Sequence, residues 1–174
     1  SIMKIVITGP ESSGKTTLLN EINNKWNFTI IPEYARIYID KLNRPYNYDD
    51  ILEIAKGQIA LEDKSYEVRS TLLFADTDLL TLQIWCEYKY NKCHKLINKE
   101  FLKRLPDLYL LCFPDIPWEF DPQRENPHDR LNLFNIYKRK IEELKVDYAI
   151  IKGTMSERLK MIEQIIESTN LIKL

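Results

Sequence analysis

Glycine is scarce in this sequence, four in 174 residues, and histidine scarcer still at two. His94 and His128 would have to serve any zinc site or serine–histidine–aspartate hydrolase, and no neighbouring residue supports either. The cysteines number three, and Cys86, Cys93 and Cys112 follow no metal-binding or redox spacing; they read as idle thiols of a reducing cytoplasm. No apolar run approaches the roughly 18 residues of a membrane span, and no basic-apolar-cleavage pattern opens the chain. Neither sign of charge is in excess, with 25 Lys and Arg against 26 Asp and Glu. Such a chain has no general pull towards nucleic acid or an anionic membrane. The expectation is a cytoplasmic protein with neither as partner. Ser1-Ile2 ahead of Met3 read as residues added before the natural start, so one domain over 3–174 is expected.

What is present alternates. Apolar, β-branched runs at 4–8, 28–31, 71–75, 108–112 and 148–151 read as buried strands. Between them lie helical patterns. Leu18, Ile22 and Trp26 recur every four residues; Ile51, Ala55 and Ile59 share a face over 49–68. Helical material spans 79 to about 105, and Leu131, Phe134, Tyr137, Ile141 and Leu144 mark a further helix. Leu159, Ile162 and Ile166 mark the last. Strands alternating with helices predict a three-layer α/β domain around a parallel sheet. Pro114, Pro117, Pro122 and Pro127 break the pattern and predict an extended loop over 114–130, long enough to serve as a lid.

Gly9-Pro10-Glu11-Ser12-Ser13-Gly14-Lys15-Thr16 fits the phosphate-loop pattern G-x-x-x-x-G-K-[ST] in full. Phosphate oxygens require several backbone N–H donors converging on one point, and the start of a helix adds its own. Two of the four glycines stand in this loop, between a predicted strand and a predicted helix. ATP and Mg²⁺ are therefore the expected ligands, with Lys15 reaching the β- and γ-phosphates and the Thr16 hydroxyl on the metal. Glu11, Ser12, Ser13 and Thr17 complete the expected nucleotide-binding set.

In open α/β sheets the ligand lies beyond the carboxyl ends of the strands. Asp76 and Asp78 stand at the end of the third strand, on the same rim as the loop. Asp76 is expected to hold Mg²⁺ or orient an attacking hydroxyl. Asp78 fits that role and equally fits the cap of the next helix. Glu33-Tyr34-Ala35-Arg36 ends the second strand; it would line an acceptor pocket or form a surface ion pair. In the 114–130 loop, Arg124 and Arg130 are candidates to neutralise charge on a transferring phosphoryl group. Trp118 and Phe120 would stack on a base or anchor the loop.

Glu11-Ser12-Ser13 inside the phosphate loop, Glu33-Tyr34-Ala35-Arg36, Asp76-Thr77-Asp78 and the 118–130 loop occur in the order found in one family. The chain resembles the ribosylnicotinamide kinase domain of the bacterial NadR-type proteins over almost its whole length. The resemblance implies a P-loop fold of strand order 2-3-1-4-5 and ATP-dependent phosphorylation of nicotinamide riboside to its mononucleotide. It further implies that Lys15 and Thr16 hold phosphate and Mg²⁺. Asp76 becomes the Walker B-like acid, Glu33 and Arg36 lie in the acceptor pocket, and Tyr46 or Tyr48 supplies an aromatic wall. No H-x-G-H adenylyltransferase motif is present, so the expected reaction stops at the mononucleotide without binding operator DNA. Two other readings stand beside it: a kinase for another nucleoside, and an ATP-binding module or regulatory ATPase without a small-molecule acceptor.

Overall fold

Residues 2–68, 70–116 and 128–169 are described by a computed structural model. Its strands are β1 (Met3–Thr8), β2 (Thr29–Ile31), β3 (Leu72–Asp76), β4 (Leu108–Cys112) and β5 (Asp147–Ile151). They form one five-stranded sheet of order β2-β3-β1-β4-β5 in which every pairing is parallel. The helices are α1 (Lys15–Trp26), α2 (Tyr34–Asp40), α3 (Tyr48–Ser65), α4 (Leu79–Tyr90), α5 (Lys95–Lys103), α6 (Arg130–Leu144) and α7 (Met155–Ser168).

Side chains of a strand alternate between faces, and β1 is apolar on both. Ile5 and Ile7 join Leu18 and Ile22 of α1 and Ile162 and Ile166 of α7 in one core. Val6 faces the other way, into a core shared with Ile51 and Ile54 of α3, Leu80 of α4 and Phe134 of α6. The sheet is therefore covered on both faces, as the near-continuous apolar strands foretold. Register then sets the rim: Ile7 lies beside Asp76 and Thr8 beside Leu111. The phosphate loop after β1 and the acid ending β3 thus leave the sheet side by side.

Two elements differ from expectation. The stretch after β2 forms α2, a seven-residue helix with no residue fully buried, which lies outside the helical patterns read above. The helical material after β3 is not continuous, because Asn91 takes the left-handed conformation (φ 58°) and its N–H bonds to the Glu87 carbonyl. That is a helix stop of the kind asparagine supplies. The expected lid lies largely outside the described residues, Trp118, Phe120 and Arg124 with it. Among the described residues no helix is long and apolar enough to cross a membrane.

At the opposite end of the sheet, Lys4 is buried in β1. Its Nζ donates to Glu62 Oε1 at 2.6 Å and to the Arg104 carbonyl at 2.7 Å. Removing one partner of a buried pair strands the other charge. Glu62→Leu is expected to lower unfolding free energy by about 3–5 kcal/mol in urea titration. Asp63→Ala, which breaks an exposed bridge to Arg104, should cost no more than about 1 kcal/mol.

Candidate active site

The phosphate loop turns on backbone that few side chains tolerate. Gly9 has φ 136°, and a Cβ there would lie 2.8 Å from the Cys112 carbonyl oxygen of β4. Gly14, the N-cap of α1, has φ 82°, and a Cβ there would meet Ile116 at 2.5 Å. Ser12 also takes a left-handed conformation, at φ 59°. Within the loop the Ser13 hydroxyl donates to the Pro10 carbonyl at 2.6 Å. The Lys15 ammonium lies over the loop, donating to the carbonyls of Gly9 at 2.9 Å and Pro10 at 2.8 Å.

Two arginines fasten this loop from outside. Arg130, at the start of α6, donates from Nη1 to the carbonyls of Ser12 at 3.0 Å and Ile116 at 2.6 Å. Arg158 of α7 is fully buried. Its guanidinium donates to the carbonyls of Ser13 at 2.8 Å, Gly153 at 2.9 Å and Phe113 at 3.0 Å, and to the Asp115 carboxylate. Arg158 escaped the sequence reading because one arginine on an amphipathic helix reads as a solvated charge. Its alignment with the buried Ile162 and Ile166, four and eight positions on, was the available signal.

The acids of the rim are held in three different ways. Asp76 is buried, and its Oδ2 accepts from the Thr16 hydroxyl at 3.1 Å. Its Oδ1 is buried with no hydrogen-bond partner among the described residues, as is the Ser12 hydroxyl of the loop. A buried carboxylate oxygen left open beside a threonine hydroxyl fits Mg²⁺, which takes few protein ligands and keeps water and phosphate for the rest. Burial raises the Asp76 carboxyl, against the pull of Lys15, Thr16 and Arg36.

Glu33 accepts from the Thr77 hydroxyl at 3.1 Å through Oε2. Burial, and next the Asp76 charge, push its carboxyl above the ordinary range, while Lys15, Thr77 and Arg36 oppose the rise. Thr77 is itself strained, a β-branched residue at φ 63° whose N–H bonds to the Ile7 carbonyl at 2.9 Å. Asp78 serves as the N-cap of α4, accepting from Leu80 N–H at 3.1 Å, and takes the Tyr109 hydroxyl at 2.6 Å on its other oxygen. It also borders the cavity described next.

One cavity of about 200 Å³ borders the loop, Glu33, Thr77 and Asp78, while Asp76 lies behind Thr16 and is not among its lining residues. Its floor is the loop from Gly9 to Thr17, Glu11, Ser12, Ser13, Lys15 and Thr16 included, and its walls include Glu33, Arg36, Thr77 and Asp78. The far wall is Gln58 of α3, Trp85 and Tyr88 of α4, and Tyr137 of α6. Trp85 was missed by the sequence reading. Thr81, Trp85 and Tyr88 share one face of a helix that begins at the rim, a spacing that could have found it. Its ring lies edge-on to Tyr46 at 4.8 Å, and its Nε1 donates to the Tyr46 hydroxyl at 3.0 Å. Three expected wall residues do not line the cavity, Tyr46, held against Trp85, being the first. Tyr48 stacks on His94 at 3.9 Å, and the Tyr34 ring packs against Gly57 of α3.

With this geometry in place, comparison with known proteins is informative. The family model of the AAA domain matches residues 4–158. The chain belongs to the AAA domain family. This AAA domain is 28% identical over 159 residues to the trifunctional NAD biosynthesis/regulator protein NadR of Escherichia coli K12, covering 87% of the chain. The NadR of Salmonella typhimurium LT2 matches to the same extent. The chain spans 38% of the length of these curated relatives. A solved structure of NadR protein in complex with NR superposes with a TM-score of 0.82 at 20% identity, covering 99% of the chain and 53% of NadR. Deoxyadenosine kinase from M. mycoides superposes at 0.61 with 14% identity, covering 95% and 100%. The resemblance read from the motifs and the expected strand order are both borne out.

Asp78 gives the AAA domain a pH-dependent stability. Burial is the main cause that raises its carboxyl to about 6, above the Lys4, Tyr109 and Leu80 contributions. The folded state therefore binds this proton more tightly than the unfolded state, and stability falls as pH rises through the interval between the two values. Relative to Asp78→Asn, the wild type should be more stable at about pH 4 than at about pH 7 by up to about 3 kcal/mol, read from urea midpoints.

Proposed function

We propose that this protein is an ATP-dependent kinase that phosphorylates a nucleoside-like alcohol, with nicotinamide riboside as its acceptor and NAD biosynthesis as its setting. One observation carries the reading: the cavity that begins at the phosphate loop continues to a wall bearing Glu33, Arg36 and Trp85. A nucleotide switch needs only the loop. A cavity that also carries a carboxylate, a guanidinium and an indole suits a sugar hydroxyl and a planar ring. The similarity to NadR favours nicotinamide riboside among such acceptors.

Phosphoryl transfer passes through a loose transition state, so the protein's task is chiefly positioning and charge stabilisation. Backbone N–H groups of 11–16 cradle the phosphates, and Lys15 swings from the Gly9 and Pro10 carbonyls onto the β- and γ-oxygens. Thr16 and Asp76 would hold Mg²⁺, which supplies charge neutralisation at the phosphates when bound. Asp76 is thereby committed to Thr16, and both oxygens of Asp78 are engaged by Leu80 and Tyr109. Glu33 remains the carboxylate to orient the acceptor hydroxyl, and burial is the main cause that raises its carboxyl. Arg130 stands beside the loop as the described lid-end cation. A cytoplasmic location, where MgATP is plentiful, completes the proposal.

ADP release from the purified protein with MgATP tests this reading. Nicotinamide riboside should stimulate release strongly, a panel of common nucleosides should not, and Lys15→Ala should abolish the stimulation. Stimulation by a different nucleoside would keep the chemistry and discard the acceptor. No stimulation by any member, with ATP still bound, would favour the switch.

A further inference from the structure

Glu33 occupies the N-cap position of α2, yet its side chain caps nothing there. The carboxylate turns instead to Thr77 and the cavity. A helix start normally draws its cap from that residue, so the turn must be secured by something else. Gln58 of α3 secures it. Its Oε1 accepts from the Tyr34 N–H at 2.9 Å, and its Nε2 donates to the Pro32 carbonyl at 3.3 Å. One buried amide thus holds the peptide groups on both sides of Glu33.

The preceding residue contributes separately. Gly57 lies inside α3, where glycine is less favourable than alanine. A Cβ at that point would lie 1.9 Å from Cε1 of Tyr34 and 2.2 Å from its Cδ1. The absence of a side chain is what lets the Tyr34 ring lie flush on the helix. α2 has seven residues, none fully buried, so a helix this short depends on its contacts with α3 for its position.

We propose that Gln58 is a positioning residue that sets the Glu33 carboxylate against the phosphate loop, with Gly57 as the seat of the Tyr34 ring. The proposal rests on Glu33 orienting the acceptor hydroxyl. Misplacing such a group by about 1 Å costs on the order of 100-fold in rate. Gln58 borders the cavity, but both its hydrogen bonds run to the backbone on either side of Glu33, and the loss that passes through them should be felt only while Glu33 retains its function.

A double-mutant cycle on the full chain, with MgATP and nicotinamide riboside, reads this dependence. Gln58→Met, close in shape but unable to form either bond, should lower kcat about 10- to 100-fold with the KM for ATP unchanged. In a Glu33→Gln background the same change should alter kcat less than about two-fold. Independent, multiplying losses, or an unchanged kcat in Gln58→Met, would overturn the proposal. An unchanged kcat in Glu33→Gln alone would instead remove the role given to Glu33, and the positioning role with it. Gln58→Glu, which keeps the acceptor for Tyr34 N–H and loses the donor to Pro32, is read the same way should the methionine variant not fold. Hydrogen exchange at the Tyr34 amide reports the dock without any turnover: Gln58→Met should speed it about ten-fold or more, and unchanged exchange contradicts the dock.

Discussion

A polyanion can be held by backbone N–H groups only if the chain brings several of them to one point, and the rest of this molecule is arranged around that demand. The phosphate loop must turn sharply, which uses Gly9 and Gly14 and leaves Ser12 in a left-handed conformation. It must also be gripped through its carbonyls, which a loop of this shape cannot pair among themselves. Arg158 and Arg130 donate to the carbonyls of Ser13 and Ser12 and tie the loop to the ends of β4 and β5. A central β1 between β3 and β4 places the loop where both neighbours can reach it.

The same arrangement divides labour among the acids. The register of β1 and β3 delivers Asp76 to the loop, where Thr16 takes one of its oxygens. One residue later the chain bends through the strained Thr77, whose hydroxyl reaches across to Glu33. Another residue on, Asp78 closes the helix start and the Tyr109 hydroxyl together. Three acids within hydrogen-bonding networks of one rim thus receive different surroundings, and their raised carboxyls share burial as the leading cause.

Much of this was legible before the structure. The loop, β1 and α1 are local features, and a motif between a buried strand and an amphipathic helix admits few alternatives. Asp76 followed from the rule that ligands gather at strand ends. What was illegible depends on distant partners. α2 is short and buries no residue fully, and what holds it is distant in sequence: Gly57 and Gln58 of α3, over twenty positions away, and Asp50, which takes the Tyr38 hydroxyl. The resemblance implied an aromatic wall from Tyr46 or Tyr48, whereas the Tyr48 ring is taken up by His94 from the α4–α5 connection. Arg158 and Lys4 look like surface charges until the elements that bury them are assembled. Trp85 lay within reach, since its helix begins at the rim.

The central claim is that a bound alcohol, and not water, takes the phosphoryl group. The most direct measurement is the fate of solvent oxygen when the protein turns over MgATP and nicotinamide riboside in water enriched in heavy oxygen. Mass spectrometry should find phosphorylated nucleoside free of the label, with inorganic phosphate at background. Labelled inorganic phosphate in place of a phosphorylated nucleoside would make water the acceptor and contradict the account.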